Sequence, residues 1–135
     1  MPWITLPAVL ESIEIATDFM DDILNNAGCP SRARIQLDIA LDELMSNVAR
    51  YAYAPETGEV TVSVSIRKDP RRAVITLTDS GVPYDPLQTK DPDVTLTAEE
   101  RPIGGLGIFI VKQSMDDVIY DYRNGQNIVT IVKHF

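Results

Sequence analysis

At Gly58 the hydrophobic rhythm of this chain changes from helical to extended, and that switch excludes most folds. Upstream, Leu10, Ile13, Ala16, Met20, Ile23 and Ala27 recur with a helical period, as do Leu37, Leu41, Leu44, Val48 and Tyr51. Downstream, Val60, Val62, Val64 and Ile66 alternate with Thr61, Ser63, Ser65 and Arg67. A strand with one apolar and one polar face needs cover on one side only. The two helical stripes supply such a cover, which predicts a layer of helices over a sheet.

The boundaries follow from turn and cap residues. Trp3–Leu6 reads as a short strand, closed by Pro7. A first helix over 8–27 is stopped by Gly28 and Pro30, and Ser31 is placed to cap a second one running to about Ala54, before Pro55. Strands over 60–66 and 74–79 flank a turn at Lys68-Asp69-Pro70-Arg71. Residues 82–103 hold four prolines and no sustained period, so they read as one long loop, a length usually kept for function. A third helix over 106–115 precedes a closing hairpin, 118–122 and 128–133, around Asn124-Gly125. The predicted fold is α+β: a single domain over 1–135, a two-layer sandwich with a mixed, mostly antiparallel sheet and helices on one face.

Three groups of residues carry possible chemistry. Asp79 shares a strand face with Ile75 and Leu77, so its carboxylate points at the helical layer and needs hydrogen bonds there. It could accept a bond from an exocyclic amine such as that of adenine, with Gly81 leaving room for a flat ring; an aspartate before Ser80-Gly81 also suits a plain turn. Glu43 and Asn47 lie one helical turn apart on one face. An asparagine oxygen can ligate Mg²⁺ beside phosphate oxygens, and a nearby glutamate can take a proton, though a solvated helix face has the same pattern. Gly104, Gly105 and Gly107 open the third helix, where bare N–H groups and the helix dipole favour phosphate, though a flexible loop end packed close to a neighbour would use the same residues. Arg101 at the end of the long loop could reach the same phosphate or belong to a solvated charge run. With one histidine, His134, near the C-terminus, the serines have no partner for a hydrolase triad.

Bulk properties narrow the classes. A net charge of −8 argues against direct nucleic-acid binding. No apolar run approaches the roughly 20 residues of a membrane span. A lone cysteine, Cys29, and an N-terminus without a leader pattern predict a reducing, cytoplasmic setting.

Taken in order, these pieces resemble the nucleotide-binding fold shared by gyrase, mismatch-repair and histidine-kinase ATPases, the Bergerat-type ATP-binding fold. Glu43-Leu44-Met45-Ser46-Asn47 resembles its N box, Asp79-Ser80-Gly81-Val82-Pro83 its first glycine box, and Gly104-Gly105-Leu106-Gly107 its second. Within that superfamily the chain is most similar to the stand-alone anti-sigma-factor serine/threonine kinases, over nearly its whole length. The resemblance implies ATP and Mg²⁺, with Asn47 on the metal and Glu43 as general base toward a serine or threonine hydroxyl. It implies Asp79 on the adenine amine beside Gly81, Gly105 and Gly107 amides at the phosphates, and a lid over 84–103. It further implies an antagonist protein as phosphoacceptor, a sigma factor as second partner, and a homodimer. Many members place a threonine just after the glycine of the last hairpin; here Gln126 and Asn127 follow Gly125. A nucleotide-binding module that sequesters a partner without phosphorylating it, or a detached histidine-kinase catalytic domain, would carry the same motifs.

Overall fold

The alternation after Gly58 becomes strand β2 (Glu59–Arg67), paired antiparallel with β3 (Arg72–Asp79) so that Val60, Val62 and Val64 face Asp79, Leu77 and Ile75. The computed structural model describes residues 1–88 and 106–135. Strand β1 (Trp3–Pro7) borders β2, and the closing hairpin of β4 (Asp117–Arg123) and β5 (Gln126–His134) docks β5 against β3. The resulting five-stranded sheet has the order β1-β2-β3-β5-β4. Each of its pairings is antiparallel, so the expected mixed sheet is corrected to an antiparallel one. Asn124 and Gly125 make the last reversal possible with φ of 55° and 76°, a left-handed pair that these two residue types tolerate best.

Among the described residues, three α-helices cover one face. Helix α1 spans Ser12–Asn26, α2 Ser31–Asn47 and α3 Leu106–Ser114. The first starts later than the expected 8–27 because residues 8–11 form bends and turns (Ser12 N–H to Val9 O, 3.1 Å), leaving Leu10 exposed. Its buried stripe is Ser12, Ala16, Met20 and Leu24. Ser31 is the first helical residue and makes no side-chain cap; the extended Pro30 (ψ 150°) holds the cap position instead. Helix α2 gives way at Val48 to a π-helical turn, Val48–Ala52. The wider turn takes Tyr51 off the apolar stripe that a continuous α-helix would give it, and Tyr51 is 49% exposed.

The core lies between the layers: Val60, Val62, Val64, Ile75, Leu77 and Ile131 from the sheet against Met20, Leu24, Leu37, Leu41 and Val111 from the helices. Each such side chain, fully withdrawn from water, contributes roughly 1.5–3 kcal/mol. The other sheet face carries hydroxyl ladders, Thr5 to Thr61 at 2.8 Å and Thr76 to Thr130 at 3.3 Å. Among the described residues no helix is long and apolar enough to cross a membrane.

Candidate functional site

Strand alternation carries Ile75, Leu77 and Asp79 inward together, and all three are buried, Asp79 at 6% exposure. The carboxylate is held on one side. Its Oδ1 accepts the Gly81 N–H at 2.9 Å and the Asn127 Nδ2–H at 2.9 Å. Its Oδ2 takes no protein hydrogen bond among the described residues.

Helix α2 delivers Asn47 at its last residue, 8% exposed, with its Nδ2 buried and unpartnered. An unmet buried donor of this kind costs about 1–3 kcal/mol, which a bound ligand can recover. Asn47 borders the cleft, where its Nδ2 donor suits a phosphate oxygen and its Oδ1 is the amide atom able to ligate a Mg²⁺ ion. One turn earlier, Glu43 rests against Gly107 in the first turn of α3: a methyl group added at Gly107 would collide with its carboxylate. Gly107 therefore lets the helix end and the acid meet.

Between Asn47 and Asp79 lies a narrow cleft with a free volume of about 20 Å³. Leu77 and Val129 floor it, Leu44, Val48 and Ala52 form one wall, and Tyr84 and Pro86 another. Asn47, Asp79 and Asn127 are its polar members. A narrow apolar slot with a few converging polar groups suits a flat aromatic base. Tyr51 stacks on Tyr84 with ring centroids 5.1 Å apart and 26° between planes.

Gly81 and Pro83 sit in the turn behind Asp79. What approaches Gly81 is the π-helical turn: a side chain there would strike the Ala52 carbonyl, which instead accepts the Val82 N–H at 2.8 Å. The Tyr53 hydroxyl pins the same turn, accepting the Ser80 N–H at 2.7 Å and donating to the Glu59 carbonyl at 2.7 Å. Of the expected site residues, the fold thus brings Asn47 and Asp79 into one cleft, with Glu43 and Gly107 touching nearby and Gly81 and Pro83 in the supporting turn. Arg101, Gly104, Gly105 and the expected lid from 89 onward lie outside the described residues.

Asn127 had stood out in the sequence only as the residue where many similar chains carry threonine. It lies directly across from Asp79 in the β3–β5 pairing. Tyr84 was hidden inside the long loop, and Tyr51 inside an apparent helix stripe. A signal for Asn127 existed, a polar residue in phase with Val129 and Ile131 on an inward strand face.

A helix-covered antiparallel sheet, with an acid on its inner face opposite an orphaned amide, is the layout of a nucleotide-binding domain, and the chain belongs to the histidine kinase-like ATPase domain family, which matches residues 6–133. Among its relatives, the serine-protein kinase RsbW of Listeria monocytogenes is 33% identical over 130 residues, covering 92% of this chain and 81% of that protein. RsbW of Bacillus cereus is 27% identical over 128 residues, covering 92% of this chain and 79% of that protein. The serine/threonine-protein kinase BtrW of Bordetella bronchiseptica is 26% identical over 104 residues, or 77% of this chain and 72% of that protein.

Proposed function

We propose that this chain, acting as one domain, is an ATP- and Mg²⁺-dependent serine/threonine protein kinase and anti-sigma regulatory factor. It phosphorylates an antagonist protein and, when free of that antagonist, sequesters a sigma factor. The observation that carries the reading is the buried Asn47 Nδ2 donor, left for an acceptor such as a phosphate oxygen, in the same cleft as Asp79. The names of the relatives support serine or threonine as the acceptor.

Asp79 Oδ2 would accept the adenine amine while the apolar floor and walls hold the ring. Asn47 would hold the metal ion, which supplies neutralising charge to the phosphates. Bare amides at the start of α3, with Gly104, Gly105 and Arg101 on its approach, would bind phosphate oxygens on a chain whose net charge of −8 otherwise repels them. Glu43 would orient the partner's hydroxyl: the oxygen attacks the γ-phosphorus, the bond to the departing ADP oxygen breaks, and the proton passes to the Glu43 carboxylate. A homodimer in the cytoplasm completes the proposal.

Purified chain mixed with labelled ATP and candidate antagonist proteins should place label on a serine or threonine. Glu43→Gln should slow that transfer by about 10²–10⁴-fold while nucleotide affinity stays within roughly threefold. Nucleotide binding without any transfer would leave a partner-holding module, and label on a partner's histidine would mean a detached histidine-kinase domain.

A further inference from the structure

Asn127 is the most completely bonded polar side chain in the cleft. It is 3% exposed, and its Nδ2 donates to Asp79 Oδ1 at 2.9 Å and to the Val82 carbonyl at 2.8 Å. Its Oδ1 accepts the Tyr84 N–H at 3.0 Å and the Tyr120 hydroxyl. This pattern fixes the orientation of the amide. A carboxylate and a carbonyl can only accept and a backbone N–H can only donate, so exchanging the amide nitrogen and oxygen would oppose like with like. Burial pushes the Tyr120 phenol up from its ordinary value, which keeps it a donor at neutral pH. Both hydrogens and both lone pairs of the Asn127 amide are therefore committed within the protein, and none remains for a ligand.

Two consequences meet at Asp79. Its Oδ1 is saturated by Gly81 and Asn127, and its Oδ2 keeps the whole capacity for a donor in the cleft. The Asn127 amide also clips Val82 and Tyr84 to the sheet as a neighbouring strand would, which holds one wall of the cleft. A threonine hydroxyl has a single hydrogen and could not bond Asp79 and Val82 together.

We propose that Asn127 is a positioning residue for base selection: anchored by Tyr120 and Tyr84, it holds Asp79 in the one orientation that presents Oδ2 to the exocyclic amine of the base, and makes no contact with the base itself. The inference rests on the reading of this cleft as an ATP site and deepens it, because discrimination between bases then rests on one carboxylate oxygen.

The test compares affinity for ATP with that for purine riboside triphosphate, in which hydrogen replaces the 6-amino group, both with Mg²⁺. The full chain should prefer ATP by about 10- to 100-fold, the usual worth of a hydrogen bond to a charged group. Asn127→Ala should bring that preference below about threefold, with affinity for the deamino analogue little changed. A merely structural role would lower both affinities together, and that result overturns the proposal. So does an Asn127→Ala chain that discriminates as well as the parent. Tyr120→Phe removes one donor and leaves the strand intact, so it decides the matter if the alanine chain misfolds: the preference should fall by roughly two- to fivefold, and an unchanged preference counts against the proposal. A parent chain that binds both nucleotides equally refutes the inference alone, whereas one that binds neither refutes the ATP reading as well.

Discussion

Glu43 and Gly107 show how a single hydrogen atom in place of a methyl group decides a contact. The glutamate lies where a β-carbon on Gly107 would have to go. Gly107→Ala should therefore push the carboxylate aside, lowering phosphoryl transfer by at least about tenfold while ATP affinity falls much less. Single-turnover transfer and equilibrium binding, measured side by side, separate the two effects. At this scale the sequence was most legible where chemistry is unusual for its surroundings: an acid in phase with Ile75 and Leu77 reads as inward whatever the fold. It was least legible at Asn127, because an asparagine that finds four partners and one that faces water are the same letter.

Helices α1 and α2 meet through a half-buried polar cluster that no motif announced. Arg34 lies 3.7 Å from Asp21 Oδ2 and 3.5 Å from Asp38 Oδ2, and the other oxygen of each carboxyl is buried without a partner. Burial, with a hydrogen bond from Asp21 and the charge of Asp21, pushes the Asp38 carboxyl up to about 7 despite Arg34. A proton shared between the two carboxyls would satisfy both orphaned oxygens. Unfolded, Asp38 returns to about 4. Between these values the folded chain binds the extra proton, so this cluster's contribution to folding is fully present below about pH 4, falls as pH rises to about 7, and is constant beyond. Asp38→Asn keeps a donor in place at every pH. Its melting temperature should exceed that of the parent at pH 8, and the gap should narrow toward pH 5; a gap independent of pH would contradict the shared proton. The π-helical turn belongs to this scale too. Periodicity marks Val48 and Tyr51 as one stripe but carries no sign of the extra residue per turn that presents Tyr51 to Tyr84.

Over the whole molecule, the cleft joins the end of α2, the end of β3 and the start of β5, elements far apart in sequence. A nucleotide that binds there ties the layers together and should stabilise the entire fold. Magnesium and ATP at about 100 times the dissociation constant should add about 2.7 kcal/mol, or roughly 10 °C in melting temperature for a chain of this length. Asp79→Asn should remove most of that shift, as a thermal melt with and without nucleotide would show. A full shift in the variant would place the base elsewhere. Element types, the helical cover, the inward acid and the order of the motifs were all determined by the sequence itself, because side-chain period and turn chemistry are local properties of a few consecutive residues. The union of Asp79 with Asn127, 48 positions away, was decided only by the tertiary structure. Strand register is set when a whole apolar face is buried at once, and no short stretch of chain contains that information.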